Sequence, residues 1–267
     1  MKKAIVIALA LLVAGTYAYA NDTNGRDGSG GYGPLGDGYA NLRTESDVLI
    51  VQYREANEGF GDLIPIYEAA LTAAGATVSS IDALGGDGQL PDPLEPCDYP
   101  VTFILTSENW WGPACAADEP IFLAYLMAGG RLYISGQDYL YGTGYGDGPL
   151  PDGSLPLACG LAEVVQDTPF GADFMDVIGH DLLEGWYWFL DPTLIFIANP
   201  FYPDATVPVA GGFDLAEQIT PEMHMGATIY DSGTYRCIFN TLELAADALG
   251  GFDATIEICY LWLLTDA

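Results

Sequence analysis

The sequence predicts an α/β fold with a mostly parallel central sheet, and three observations carry that prediction. Continuous apolar runs of strand length, DVLIVQY (47–53), PVTFILTS (100–107) and RLYIS (131–135), suit strands buried on both faces. Stretches with helical spacing alternate with them and stop at glycines. Strand and helix in alternation join parallel neighbours through right-handed crossovers.

Before the first strand, MKKAIVIALALLVAGTYAYA (1–20) has Lys2 and Lys3, an apolar run from Ala4 to Gly15, and Ala18-Tyr19-Ala20. A basic start, a short apolar core and an A-x-A end predict a secretory signal peptide cleaved near Ala20. The run is shorter than the ~20 residues of a spanning helix. Residues 21–46 are rich in Gly, Asp and Asn with no apolar period, as in a flexible leader. The expected localisation is secreted, cell-surface or periplasmic, with one α/β domain over residues 47–267 and no membrane span.

Along that domain, DVLIVQY is the first strand. Phe60, Leu63, Ile64, Tyr67, Leu71 and Ala74 then recur at helical spacing up to Gly75, and ATVSSID (76–82) is a second strand. Residues 83–100 read as loop and PVTFILTS as the third strand. ADEPIFLAYLMAGG (117–130) has an acidic first turn, Pro120 and a Gly129-Gly130 stop, which predict a helix. RLYIS is a strand that opens onto Gly136-Gln137-Asp138. Residues 139–232 are rich in Gly, Pro and Asp, with short pieces EVVQD, LIFIAN and TVPVAG predicted as extra strands and loops on the same sheet. GATIYD (226–231) and TYRCIFN (234–240) form a hairpin around Asp231-Ser232-Gly233. Asn240, three residues before Glu243, is a helix start, and FDATIEICYLWLL (252–264) is an apolar closing helix.

Composition excludes several functions. The chain has 37 acidic and 7 basic residues, a net charge of −30. Loss of Lys2 and Lys3 with the signal peptide takes this to −32 and leaves Arg26, Arg43, Arg54, Arg131 and Arg236 as the only formal cations. Without lysine there is no P-loop and no Schiff-base chemistry. So acidic a chain repels polyphosphate, so nucleic acid is not a partner. Such charge needs counter-ions, either calcium at Asp-rich loops such as GYGDGPLPDGS (144–154) or high external salt.

Export permits disulfides. Cys97 and Cys115 flank one strand at opposite ends, whereas Cys115 and Cys159 both follow strands and form the candidate disulfide. Cys237 falls in a strand and Cys259 in the helix covering it, with burial or pairing both open. Five cysteines leave at least one unpaired within the chain.

The element order, together with PVTFILTSENWWG, GGRLYISGQDY (129–139) and TYRCIFNTLELA, resembles the class I glutamine amidotransferase-like fold. More narrowly it resembles the divergent amidotransferase-like domains of exported bacterial proteins. The resemblance covers residues 47–265 and implies a flavodoxin-like sandwich. The family's catalysts carry a cysteine nucleophile on a sharp turn after a strand, with a late histidine and glutamate. The corresponding turn here, Ser135-Gly136-Gln137-Asp138-Tyr139, has no cysteine, and neither His180 nor His224 belongs to a His-x-Glu pair. The resemblance therefore implies the fold and argues against the reaction.

Open α/β sheets bind ligands at the carboxyl ends of their strands. The ligand-binding candidates at those ends are Arg54, Glu108, Trp110, Gln137 and Asp138. Arg54 and Asp138 hold a polar ligand between them or pair with each other. Trp110-Trp111 and Trp186-Tyr187-Trp188 offer stacking faces for a glycan or anchors for a protein, against the plainer reading of core and rim packing. His180 and His224 lack metal-site spacing. The expected function is an exported, non-catalytic module that binds an extracellular ligand, glycan or protein. The alternatives are a secreted hydrolase using Asp138 or Glu108, and a glycan-binding protein using Trp110 or Trp186.

Overall fold

The apolar runs become the strands at the middle of one large sheet. In the computed structural model of the protein the described residues are 47–54, 62–84, 90–106, 116–137, 139–166, 174–195, 203–219 and 224–265. The predicted signal peptide and leader lie outside them. In chain order the elements are β1 (Asp47–Arg54), α1 (Ile64–Ala73), β2 (Thr77–Leu84), β3 (Val101–Leu105), α2 (Glu119–Met127), β4 (Arg131–Ser135) and α3 (Tyr139–Gly142). There follow β5 (Gly148–Pro149), α4 (Leu155–Ala158), β6 (Leu161–Val165), β7 (Met175–Gly179), β8 (Tyr187–Leu190) and β9 (Ala205–Pro208). β10 (Gly212–Gln218), β11 (His224–Asp231), β12 (Arg236–Asn240) and α5 (Phe252–Leu264) complete the chain.

The nine-stranded sheet runs β2-β1-β3-β4-β12-β11-β10-β7-β8. Its first five strands pair in parallel. The remaining four add on antiparallel, so that only β11 and β7 run against the common direction. The predicted α/β fold with a mixed, mostly parallel sheet is thus the one observed. Strand order reverses between β1 and β3, which puts the crevice of an open sheet beyond their carboxyl ends.

Alternation along each strand sends side chains to two covered faces. On one face Tyr67 of α1 meets Phe103, Tyr133 and Phe252 of α5 at ring separations of 6.2, 6.1 and 5.0 Å. On the other, Phe122, Tyr125 and Leu126 of α2 share a core with Leu49, Val51, Ile104, Leu132, Ile134 and Phe239. Two covered faces explain the near-continuous hydrophobicity of β1, β3 and β4. The predicted helix stops hold: Gly75 and Gly129 take φ of +95° and +94°, a left-handed turn that disfavours a side chain.

Three expectations need correction. Only β7, β8, β10 and β11 of the 139–232 region extend the main sheet. EVVQD and TVPVAG instead contribute to β6 and β9 of a separate three-stranded sheet, β5-β6-β9. The reason is amphipathy: β6 buries Leu161 and Val164 while exposing Glu163 and Val165, so it covers the core from one side. LIFIAN begins in a 3₁₀ turn, Pro192–Ile195, and its remainder lies outside the described residues. Asn240 does not start a helix. It ends β12, its Oδ1 accepts from the Leu242 amide at 2.9 Å, and only a short 3₁₀ turn, Leu244–Ala246, follows.

Candidate functional site

Four of the five parallel strands, β1, β3, β4 and β12, deliver a buried polar residue at or near their carboxyl ends. Gln52 of β1 accepts from the amides of Leu63 and Ile64 at 2.7 and 3.1 Å, so a strand side chain caps the next helix together with the local Asp62, whose Oδ1 accepts from the Ile64 amide at 3.1 Å. Thr106 follows β3, Ser135 closes β4, and Asn240 closes β12; all are buried. Gly136 is obligatory here, since a Cβ on it would fall 1.7 Å from Oγ1 of Thr106.

The network's centre is Glu243. Its Oε1 accepts from the Tyr67 hydroxyl at 2.9 Å, and its Oε2 accepts from the Ser135 hydroxyl at 3.2 Å. Asn240 reaches the Tyr133 hydroxyl at 3.3 Å. Burial pushes the Glu243 carboxyl up to about 7, against the lowering effect of its Tyr67, Ala245 and Ser135 hydrogen bonds. Burial likewise raises the Tyr67 phenol, with the nearby Glu243 charge adding to it. A carboxyl poised near neutrality can exchange a proton, but Glu243 and Ser135 are 1% and 0% exposed. The proton would move within the core.

A second cluster gathers at the start of α2 on the opposite face. Tyr53 donates to Asp118 Oδ2, and Tyr139 and Tyr145 donate to the two oxygens of Glu119, each at 2.7 Å. Burial raises the Glu119 carboxyl, and the two tyrosine hydrogen bonds offset part of that rise.

Of the predicted binding residues, Gln137 is buried directly after Gly136. Arg54 ends β1 in register with Leu84. Glu108, Trp110 and Asp138 lie outside the described residues, as does Cys115. Cys159 is a buried free thiol at the end of α4. Cys237 and Cys259 are also free thiols; Cys237 packs with the α2-side core and Cys259 against Tyr133, so the sheet separates them and they do not pair. Trp188 is fully buried and Trp186 stacks on it at 6.1 Å, which is packing of core and rim. His180 Nε2 lies 2.9 Å from Glu217 Oε2 on β10, three strands from β4, and His224 opens β11 opposite Gln218. Among the described residues no group of three or more His, Cys, Asp or Glu is arranged to hold a metal. Asp147, within the Asp-rich loop, accepts from the Gln166 amide at 2.8 Å.

Tyr67, Ser135, Asn240, Glu243 and the Asp118–Glu119 pair were not singled out by sequence reasoning as one site. The available signal was an acid between two leucines, Leu242-Glu243-Leu244, in a segment otherwise apolar enough to be buried.

No family model matches the sequence, and no curated protein matches it. Solved structures do. A carbohydrate deacetylase, Agd3, is 11% identical over 82% of this chain and 32% of its own, with a TM-score of 0.51. The exo-β-1,4-mannosidase Op5Man5 from Opitutaceae bacterium strain TAV5 is 13% identical over 84% of this chain and 37% of its own, also with a TM-score of 0.51. This chain therefore spans about a third of each. A ThuA-like protein from Parabacteroides merdae is 14% identical over 83% of this chain and 91% of its own, with a TM-score of 0.48. Identities this low speak to the fold alone, an α/β fold with a large, mixed and mostly parallel central sheet. No helix among the described residues is long and apolar enough to cross a membrane.

Proposed function

We propose that this chain is an exported amidotransferase-like module that binds a ligand or partner at the carboxyl edge of its parallel strands and carries out no amide transfer. The observation that supports this most directly is the turn after β4. Where the resembling family needs a thiol, the sequence is Ser135-Gly136-Gln137-Asp138-Tyr139, and Ser135 is sealed against Glu243. Cys159, Cys237 and Cys259 are buried elsewhere in the core, and exposed Cys97 belongs to the connection between β2 and β3. A nucleophile needs its base within hydrogen-bond reach and a path to substrate. A buried hydroxyl held by a carboxyl of pKa about 7 has the first and lacks the second. In this reading the polar layer beneath the edge is a rigid floor, and ligand contacts come from the loops above it.

The test is ammonia release from glutamine by the purified protein. Release no faster than in buffer is expected. Turnover that disappears in Asp138→Ala would overturn the proposal.

A further inference from the structure

Two of the buried thiols meet across elements far apart in sequence. Cys159 ends α4 and Cys237 lies within β12; both are completely buried free thiols of one core cluster, and Cys159 is near enough to raise the Cys237 thiol. The residues on either side of Cys159 are fixed against those around Cys237. The Tyr235 hydroxyl donates to the Ala158 carbonyl at 3.0 Å. On the other side, a Cβ placed on Gly160 would fall 2.4 Å from Cβ of Tyr230, the cross-strand partner of Cys237. Contacts on both sides of Cys159 thus set its backbone beside the β11–β12 pair that carries Cys237, the arrangement a disulfide between the two needs.

We propose that Cys159 and Cys237 form a disulfide when the chain folds in oxidising surroundings. This replaces the expected Cys115–Cys159 pairing and is independent of the binding-module reading. The chemistry is exchange with a small disulfide such as glutathione disulfide. One protein thiolate attacks it, forming a mixed disulfide and expelling one glutathione thiolate. The second protein thiolate then attacks the protein-bound sulfur and expels the other. The protein loses two electrons and two protons, and the small disulfide becomes two thiols. Neither sulfur is open to solvent in the folded state, and burial holds the Cys237 thiol well above its ordinary range, with nearby Cys159 adding to it. The bond therefore forms while the core is still closing.

The experiment is refolding of the fully reduced, full-length chain in a buffer of reduced and oxidised glutathione. Acid quenching, alkylation of remaining thiols in denaturant, and peptide mass spectrometry without reductant follow. A peptide joining Cys159 to Cys237 is expected, with Cys97 and Cys259 alkylated. Reduction of the refolded protein should lower Tm by roughly 10 °C, as expected for a cross-link closing a loop of ~80 residues. Alkylation of both Cys159 and Cys237, or a peptide joining Cys159 to Cys115, overturns the proposal. A C159A/C237A double variant should show no reductant-dependent change in Tm. If that variant does not fold, the peptide map of the unaltered chain decides alone.

Discussion

The hydroxyl of Tyr67, on α1, donates to Glu243, three residues beyond the end of β12, at 2.9 Å. The bond spans 176 positions of sequence and ties the first crossover helix to the segment that follows the last strand. It also fixes a carboxyl inside the core whose protonation should be visible in stability.

Because burial raises Glu243 from 4.5 to about 7, the folded protein holds this proton more tightly than the unfolded chain. The associated stability is present in full below pH ~4.5 and lost as the pH rises through about 7. The interval corresponds to about 3 kcal/mol between pH 4.5 and 8. Urea unfolding of the wild type against Glu243→Gln should show this: the variant's stability should fall less over that interval. An identical pH profile in the two proteins would refute the assignment. Glu243→Ala, which leaves the Tyr67 and Ser135 hydroxyls without their acceptor, should cost about 3 kcal/mol at pH 5.

Gly136 is a packing requirement of the turn. Gly136→Ala sets a methyl against Thr106 Oγ1 and should destabilise the protein by about 2 kcal/mol. Thr106→Ala removes that oxygen but leaves Thr106 Cβ 3.0 Å from the new methyl, so the double variant should recover part of the loss. Additive losses in a double-mutant cycle would show that the two residues do not collide.

Arg236 closes the carboxyl end of α5. Its guanidinium donates to Asp231 at 2.8 Å and to the carbonyls of Trp262 and Thr265 at 2.9 and 3.0 Å, and it lies 5.1 Å from the Trp262 ring centroid. A planar fork serves these partners together and a lysine ammonium does not. Arg236→Lys should therefore lose about 2 kcal/mol and Arg236→Ala about 3 kcal/mol in denaturant titrations. A lysine variant as stable as wild type would contradict this.

For a chain of net charge −30, salt should raise Tm through screening of carboxylate repulsion. A chelator at constant ionic strength separates this screening from calcium binding, and an unchanged Tm would remove calcium as the counter-ion. A fall of several degrees on chelation, reversed by calcium, would mean that a cation is held by part of the chain.

Periodicity and glycine stops were enough to locate β1, β4 and α5 almost to the residue, because each is decided by local pattern and by burial on one or two faces. The chain order of strand and helix, with the resemblance it carries, was enough for the fold class. Local pattern is silent about partners distant in sequence. It took the main-sheet strands and the strands of the small second sheet as one set, since a short amphipathic run records only that one side is buried. It read Asn240 and Glu243 as a helix start, because a capping pair and a buried network use the same residue types. The tertiary structure alone decided that Gln52 caps α1, that Glu243 meets Tyr67 and Ser135, and that Cys159 faces Cys237. Gln52 reaches only 11 and 12 residues along the chain, but the other contacts close long loops, and which distant groups meet is settled by how the whole core packs, a quantity that no window of sequence contains.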